Sequence, residues 1–413
     1  MQSSSRPKIA VLYPAFLGGG AEAVGLWILQ ALQDQYDVTL YTVSDLGFDR
    51  LNAMYGTTIS GDRVTVRSLF PKGWLKLINT CIANQWHFRM VVFHRLIARL
   101  KAERREFATC ISAYNAVDWG APLEQGPGQG LTGINYIHWI NVLDGHRFYN
   151  LLSDTQPSRI QTHRNLANSK MVSGKVQEAY GCEPSLVYPP VVIDVQDIPW
   201  EEKQYSFICS GRLTLPKEPH KVIEILTKVR DRGFPITLEM TGGGGGIYAS
   251  GYLKRIKAMV DERTDWITLH EDLSYKDYVN VLSKCRYGIH YKTEPFGISI
   301  AEMIKAGAIP FVRSFGGQVE IVGEHHEDLF FFDPDAAVET ICKVLGDEQR
   351  QAELRDSLKI QQQLFSTERF MGEIQQVVAD YLRSGSAVDT AVDIALQAQA
   401  AQENAAATEP RTV

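Results

Sequence analysis

The chain has 413 residues, more than one hydrophobic core normally organises, so two domains are expected. A net charge of −6 and a charged fraction of 22% suit a soluble globular protein and exclude the bulk basic character typical of nucleic-acid binding. The six cysteines are scattered without a CxxC pair, which argues against a structural zinc site and suits a reducing compartment. The N-terminus has no long apolar run, so neither a signal peptide nor a membrane span is expected and a cytoplasmic location is predicted.

Short apolar strands alternate with helical patterns through the first half of the chain. Strands are predicted at 8–14, 37–43, 63–70, 107–114, 134–140 and 164–169, with a long helical region at about 75–105. Such alternation of strand and helix predicts a parallel, doubly wound sheet.

The pattern breaks at SLVYPPVVIDVQDIPW, where the prolines predict an extended connector. Alternation then resumes, with strands predicted at 205–212, 236–242, 266–273, 287–293, 309–314 and 329–334. We therefore predict an α/β protein with two Rossmann-like domains, 1–190 and 191–365, facing each other across a cleft. The Ala/Gln/Glu-rich tail, 384–413, is predicted to be disordered.

The most informative stretch is TEPFGISIAE, which ends at Glu302. Pro295 suits a helix start, and Gly297 lets a ligand approach the backbone. The apolar spacing that follows predicts a helix beginning near Gly297, whose first amides and positive dipole end favour an anion. Glu294 and Glu302 beside such a site suit a ligand that also carries hydroxyls, as a sugar nucleotide does. The alternative is one glutamate that complements the helix dipole and one that is merely solvated.

Three further groups follow predicted strands, where α/β sheets bind ligands. The segment GGGAEAVG (18–25) could let backbone amides approach a phosphate, or could be only a tight turn. Arg212 and Lys217 could converge on a diphosphate, or could be two unrelated surface cations. His138 ends the apolar strand INYIHWI, a position that also suits a histidine of the core.

Residues 63–105 form a basic stretch with interleaved tryptophan and phenylalanine in an otherwise acidic protein. A basic amphipathic helix of this composition can lie on an anionic membrane surface. A solvated helix face is the alternative.

Together these motifs resemble the GT-B glycosyltransferases, specifically the retaining family 4 group, also called glycosyl transferases group 1. The resemblance covers nearly the whole chain before the tail. It rests on Gly19, Gly20, Ala21, Glu22, His138, Asn168, Ser169, Tyr188–Val191, Gly211, Arg212, Lys217, Glu294, Phe296, Gly297, Glu302 and the segments KAGAIP and FGGQVEIV. Lys305 departs from the family pattern, which usually has a small or apolar residue there.

The resemblance implies transfer of a hexosyl group from a UDP- or GDP-hexose, with retention of configuration and without a metal or other cofactor. The implied acceptor is a glycan, a glycolipid or a lipid-linked molecule of polysaccharide biosynthesis. The first domain would hold the acceptor, the second the nucleotide sugar, and a helix at 366–383 would return to the first domain. The location implied is cytoplasmic, at the inner face of the membrane where residues 63–105 touch it.

The resemblance also implies a role for each site residue. The implied catalytic residues are His138, Arg212, Lys217 and Glu294. The implied donor-binding residues are Gly19, Gly20, Gly297, Ile298, Ser299 and Glu302. Arg212 and Lys217 would stabilise the leaving diphosphate, Glu302 would accept ribose hydroxyls, Glu294 would hold the sugar, and His138 would position it.

Other functions remain compatible with the sequence. A nucleotide-sugar epimerase on the same fold would use the donor without an acceptor. A non-catalytic subunit would retain the fold and bind a partner. A nicotinamide-dependent oxidoreductase would use the first glycine loop and would leave Arg212, Lys217, Glu294 and Glu302 unexplained.

Overall fold

A computed structural model describes residues 6–17, 19–44, 47–140, 147–243, 250–271 and 273–385. Gly18 of the first glycine loop lies outside these ranges, and so does the predicted disordered tail from residue 386 onward.

The described strands form two separate parallel sheets. The first sheet contains β1 Lys8–Leu12, β2 Asp37–Ser44, β3 Val64–Phe70, β4 Thr109–Ser112, β5 Ile134–Ile137, β6 Arg164–Ala167 and β7 Ser185–Leu186. The second contains β8 Gln204–Ser210, β9 Thr237–Thr241, β10 Ile267–His270, β11 Cys285–His290, β12 Ile309–Arg313 and β13 Phe330–Phe331.

Helices connect almost all of these strands. They are α1 Gly20–Leu32, α2 Phe48–Tyr55, α3 Leu75–Asn84, α4 Trp86–Glu103, α5 Arg147–Ser153, α6 Lys170–Tyr180, α7 Pro219–Asp231, α8 Ser250–Asp261, α9 Tyr275–Lys284, α10 Ile298–Lys305, α11 Gln318–Val322, α12 Pro334–Leu345 and α13 Glu348–Gln361. A last helix, α14, covers 367–385.

Both sheets have the strand order of a doubly wound fold. The first runs β3-β2-β1-β4-β5-β6-β7 and the second β10-β9-β8-β11-β12-β13. In each, the order reverses beside the first strand, between β1 and β4 and between β8 and β11. Ligands of such sheets bind outside the carboxyl ends of the strands at this reversal, so the loops after β1, β8 and β11 occupy the favoured positions.

The central strands are apolar because both of their faces are covered by helices. In β1, the four residues from Ile9 to Leu12 are fully buried. Ile9 pairs with Val38 of β2 on one side and with Thr109 of β4 on the other. In the second sheet Phe207 of β8 pairs with Leu238 and with Tyr287. The two predicted Rossmann-like units are therefore present, each with its own core.

The chain crosses between the units twice, and the two crossings touch. The Val191 amide donates to the Phe365 carbonyl at 3.0 Å. Beyond Phe365, α14 returns to the first unit and buries Phe370, Ile374 and Val378 in its core. A helix that crosses back, as the resemblance implied, is thus part of the fold.

The structure differs from the predicted elements in three places. The long helix predicted at about 75–105 is broken into α3 and α4, because Gln85 adopts an extended conformation with φ −115° and ψ 96°. The helices α2, α5 and α11 were not predicted, since all three are short. Part of the predicted connector pairs as β7 at the edge of the first sheet. Among the described helices, none combines the length and the apolar character needed to cross a bilayer.

Candidate active site

The predicted helix after TEPFG is present as α10, and Gly297 precedes it with φ 114°. This conformation is easily reached only by glycine. The Gly297 carbonyl accepts from the Ile300 and Ala301 amides at 2.9 and 3.3 Å. The amides of Ile298 and Ser299 lie in the first turn, where an α-helix offers no acceptor. The start of α10 can therefore donate hydrogen bonds to an anion.

Glu294, at the end of the loop after β11, lies in a small charged cluster. Its Oε1 atom is bound by the Lys217 ammonium and lies 3.2 Å from His290 Nε2. Burial opposes ionisation of Glu294, but the hydrogen bond from His290 and the charge of Lys217 outweigh it and lower the pKa to about 2. The other oxygen, Oε2, makes no hydrogen bond with the described residues and is available to a ligand hydroxyl.

The loop after β12 fixes the backbone around Glu294. The Gly317 amide donates to the Glu294 carbonyl at 2.9 Å, and Gln318 Oε1 accepts from the Glu294 amide at 2.8 Å. Gln318 is fully buried. The FGGQ segment, which the sequence offered only as part of a resemblance, thus has a structural role in holding the carboxylate in place.

Glu302 projects from the second turn of α10 into a less polar environment. Its Oε2 atom accepts from the Tyr278 hydroxyl of α9 at 2.7 Å. Withdrawal from water raises the pKa of Glu302 to about 7, although the Tyr278 hydrogen bond favours the ionised form. Glu294 and Glu302 therefore differ in charge near neutral pH, because only Glu294 has a cationic neighbour, Lys217.

The first glycine loop reaches across to α10. A Cβ atom added to Gly20 would lie 2.1 Å from Ile298 Cδ1, so a side chain there would clash unless Ile298 moved. The neighbouring Gly19 amide donates to the Tyr55 hydroxyl at 3.3 Å, and that hydroxyl donates to Glu22 Oε2 at 2.8 Å. The glycine loop thus meets the start of α10 directly, with the Gly19 amide already bound within its own unit.

His138 is buried at the end of β5 and is separate from the charged cluster. Its Nε2 atom donates to the Ala113 carbonyl at 3.0 Å, and burial lowers its pKa to about 4, so the ring is neutral at pH 7. The Asn115 side chain accepts from its backbone amide at 2.9 Å. Within the described ranges, Asn115 Nδ2 and Asn168 Oδ1 are buried atoms without a hydrogen-bond partner. Both asparagines flank His138, since Asn168 Nδ2 donates to the His138 carbonyl at 3.2 Å.

Arg212 follows β8 and is exposed. Its guanidinium makes no hydrogen bond or ion pair with the residues that the structure describes. Lys217 lies one turn further on, where its amide donates to the Thr214 carbonyl at 2.9 Å. The two cations therefore lie on the same loop between β8 and α7. Lys217 forms an ion pair with Glu294, and Arg212 has no partner among the described residues.

A third carboxylate, Glu320, joins the two units. Glu320 of α11 is almost fully buried and accepts from the Lys170 and Met171 amides at the start of α6. Its Oε2 atom also accepts from the Tyr188 hydroxyl at 2.9 Å. The carboxylate of Glu320 in the second unit thus accepts from the N-terminal amides of α6 in the first. This arrangement stabilises the negative charge of Glu320 and the contact between the units.

The structure brings together most of the predicted residues. Lys217, Glu294, Gly297 and the start of α10 form one group, and Gly20 contacts it through Ile298. Sequence reasoning missed the supporting residues His290, Tyr278 and Tyr55, and it gave no role to Gln318 and Glu320 of the FGGQVEIV segment. His290 had a signal of its own, as a histidine at a strand end four residues before Glu294. In the described part of the chain, no group of three or more His, Cys, Asp or Glu side chains is placed to hold a metal ion.

The predicted basic stretch is only partly a free surface. Arg67 pairs with Glu103 and Glu106 at 2.6 and 2.8 Å, and Arg99 pairs with Glu103 at 2.9 Å. Arg89 donates to two backbone carbonyls at the end of α3. Several apolar side chains are also exposed. Within the stretch these are Trp74, Leu77, Trp86 and Val91, and in α5 they are Phe148 and Leu151.

Two facing parallel sheets with a returning C-terminal helix define the GT-B fold, and solved structures support this assignment. The Anabaena protein Alr3699/HepE, in complex with UDP and glucose, has a TM-score of 0.64 at 16% identity, covering 92% of this chain and 100% of its own. WaaG, a glycosyltransferase involved in lipopolysaccharide biosynthesis, has a TM-score of 0.62 at 12% identity, covering 90% and 99%. The N-terminal domain of trehalose-6-phosphate phosphatase from Candida albicans has a TM-score of 0.62 at 11% identity, covering 94% and 98%.

The second unit adds a likeness in sequence. Residues 193–362 match the family model described as glycosyl transferases group 1. The matched range contains Arg212, Lys217, Glu294 and Glu302. No curated protein matches the chain.

Proposed function

We propose that this protein transfers a glycosyl group from a nucleoside diphosphate sugar to an acceptor. The observation that carries the proposal is the charged cluster of Lys217 and Glu294 at the amide-donating start of α10, closed on its other side by Gly20. The likeness of residues 193–362 to glycosyl transferases group 1 supports it. The Anabaena relative in fold was solved with UDP-glucose, which supports a nucleotide-sugar donor.

The leaving diphosphate would lie at the start of α10. Negative charge grows on that group as the glycosidic bond breaks, so donors aimed at it stabilise the transition state. Lys217, Arg212 and the amides of Ile298 and Ser299 are the available donors. Arg212 has no partner to give up among the described residues, whereas Lys217 must share its charge with Glu294.

The remaining site residues would hold neutral parts of the donor. Glu294 Oε2 would accept a sugar hydroxyl, and Glu302 would accept ribose hydroxyls when it is ionised. The neutral His138, together with Asn115 and Asn168, would line the sugar from the first unit. Closure of the units at Gly20 and Ile298 would exclude water from the reacting carbon.

The acceptor would bind to the first unit beside the glycine loop. A cavity of about 690 Å³ opens there between α2 and α3, lined by Leu17, Met54, Leu75 and Lys76 among others. Its walls combine apolar and polar side chains with more apolar than polar surface, and the nearby residues Trp74 and Leu77 are exposed. We therefore propose a glycan, glycolipid or lipid-linked acceptor, presented at an anionic membrane surface.

Finer features of the reaction are part of the same proposal. The group transferred is a hexose from a UDP- or GDP-sugar, the anomeric configuration is retained, and no metal is required. In a retaining reaction of this kind the leaving phosphate can take the acceptor proton, so no separate base needs to be found. NMR of the product's anomeric proton tests retention, and activity after exhaustive chelation tests the metal requirement.

The first experiment is a thermal-shift panel with UDP, GDP, ADP and NAD. A ligand present at 100 times its dissociation constant stabilises the folded state by about 2.7 kcal/mol, which is readily measured. A shift with UDP or GDP that Lys217→Met removes is the expected result. A shift with NAD alone would overturn the proposal in favour of an oxidoreductase.

Two alternatives keep the same site and differ in the product. A nucleotide-sugar epimerase would consume the donor without an acceptor, and a non-catalytic subunit would bind the donor without consuming it. Incubation of the protein with the donor that binds, with and without a membrane extract containing glycolipids, separates them. Transfer of label to an extractable glycan is the outcome that the transferase requires.

A further inference from the structure

A second cavity lies at the opposite end of α10 from the candidate active site. It has a volume of about 460 Å³, in the range of small-molecule sites. The connector at 195–200, the end of α10 and the last turns of α13 form its walls. The nucleotide-sugar reaction proposed above makes no use of this cavity.

The charged side chains that line the cavity are mostly cationic. They are Lys203, Lys305, Arg355 and Lys359, against one acid, Asp197. The lining therefore carries an excess of positive charge in a protein whose net charge is −6, although Asp356, outside the lining, pairs with Lys359 at 3.3 Å. It indicates an anionic ligand more readily than a neutral one.

Two of these cations retain hydrogen-bonding capacity. Lys305 donates one hydrogen bond, to the Val191 carbonyl at 2.7 Å, and an ammonium has three protons. Arg355 lies over the Trp200 ring at 4.5 Å, and its guanidinium makes no hydrogen bond with the described residues, although its Nε atom is buried. The carbonyls at the end of α10 are satisfied by other groups, since Ala306 accepts from Lys203 at 2.9 Å and Ile304 accepts from Gln362 at 2.8 Å.

Burial also acts on the lysines. Withdrawal from water lowers the pKa of Lys203 and of Lys305. An anion placed between them would offset this effect. Lys305 is also the position at which the sequence departs from the family pattern, so the cavity gives that departure a chemical role.

We propose that this cavity binds a small phosphorylated metabolite, whose phosphate is held by Lys305 and Arg355. A guanidinium and an ammonium together suit a phosphate, the first as a planar fork and the second as a point charge. The walls include residues 195–200, which follow the crossing into the second unit at Val191. They also include Gln362, which precedes the crossing back at Phe365. A ligand bound in the cavity would therefore contact both the connector at 195–200 and the end of α10.

Isothermal titration of the full chain with glucose 6-phosphate and with inorganic phosphate tests the proposal. Lys305→Met and Arg355→Met each remove a charge and keep an apolar stem, and each is expected to weaken binding about tenfold. Lys228→Met, on an exposed face of α7, is the matched control and leaves binding unchanged. The ester is expected to bind more tightly than inorganic phosphate, because the cavity is larger than phosphate alone.

Lys217→Met separates this site from the proposed donor site, which also attracts phosphates. Loss of sugar phosphate binding in Lys217→Met but not in Lys305→Met or Arg355→Met would overturn the cavity proposal and leave the donor site intact. Equal affinity of the wild type and both cavity variants would also overturn it. The melting temperature of each variant shows whether a loss of binding is a loss of folding, and Arg355→Met serves if Lys305→Met is unstable.

Discussion

The candidate-site residues of the second unit include ionised and titratable groups, whereas the first unit contributes glycine, asparagine, a neutral histidine and Glu22, whose carboxylate accepts from Tyr55 of the same unit. Lys217, Glu294 and Glu302 all belong to the second unit. Gly20 and His138 belong to the first unit. Gly20 packs against Ile298, and His138 is buried and donates to the Ala113 carbonyl. The charge of a ligand can therefore be bound by one unit, while the other supplies shape and closure.

The difference in charge between the two units follows from the surroundings of each side chain. Glu294 stays ionised because His290 and Lys217 lie beside it, and both come from the second unit. His138 is neutral because burial lowers its pKa to about 4, and its backbone is held by Asn115. Four variants test the comparison, from the largest expected effect to the smallest.

Lys217→Met tests the charged side most directly. The variant loses a charge-assisted contact to the diphosphate, and we expect about 100-fold weaker binding of the preferred nucleoside diphosphate. Titration calorimetry measures this loss. Lys228→Met, which breaks an exposed pair with Asp335, is the control and retains affinity. If Lys217→Met bound as tightly as the wild type, the diphosphate would lie elsewhere.

Gly20→Val tests whether the first unit contributes by shape. Ile298 Cδ1 lies where the first carbon of a side chain would be, so the larger residue keeps the units apart. Overpacking of this kind costs about 2 kcal/mol, and we expect turnover to fall about 30-fold while nucleotide affinity changes little. Ile298→Ala in the same chain should restore part of the turnover. Gly174→Ala, at a position with open space in α6, should not affect turnover, and an equal loss there would discount the contact.

Glu302→Gln tests the titration on the charged side. Ionised Glu302 accepts hydroxyls, and its pKa of about 7 means that the ionised fraction falls from roughly 0.9 at pH 8 to roughly 0.1 at pH 6. Wild-type nucleotide affinity is therefore expected to weaken up to about tenfold over this range as the pH falls. Ionisation of the ligand affects the wild type and the glutamine variant equally, but the variant has no carboxylate to titrate at position 302. Its nucleotide affinity should therefore depend less on pH. Parallel profiles for both proteins would show that Glu302 does not bind the ligand.

Glu320→Gln tests the contact between units that lies outside the cluster. The amide can accept from the α6 backbone but loses the charge that favours a helix N-terminus, which is worth about 0.3 to 1 kcal/mol. We expect a loss of turnover of about fivefold at most, with a small increase in the radius of gyration by X-ray scattering. Glu339→Gln, which removes only an exposed pair with Arg232 inside the second unit, is the matched control. Indistinguishable scattering from both variants would contradict a role for Glu320 in holding the units together.

The sequence predicted the elements whose signal is local. Apolar runs predicted most of the strands of both sheets, because central parallel strands are buried on both faces. The helix after Gly297 was predicted from a proline, a glycine and apolar spacing. The short helices α2, α5 and α11 and the break at Gln85 were not, since nothing in a few residues distinguishes them from loops or from a continuous helix.

The candidate site was predicted less completely than the fold. Glu294 and Lys217 were proposed from their own motifs, but their ion pair joins residues 77 positions apart. Tyr278 had no motif at all, because a tyrosine on a helix is ordinary until its partner is known. Glu320 lay in the segment FGGQVEIV, but its contact with the start of α6 could not be read from that segment. The basic stretch at 63–105 suggested a charged surface, yet Arg67 and Arg99 are paired within the protein.

By itself the sequence determined the two-unit α/β fold, the start of α10 and the residue types placed around it, because periodicity, glycine and proline act over a few residues. Only the tertiary structure decided which of those residues meet, which carboxylate is ionised at neutral pH and which cations remain available. Those properties depend on burial and on partners from distant segments. Glu294 and Glu302, eight positions apart, show the difference: their pKa values of about 2 and about 7 come entirely from what surrounds each one.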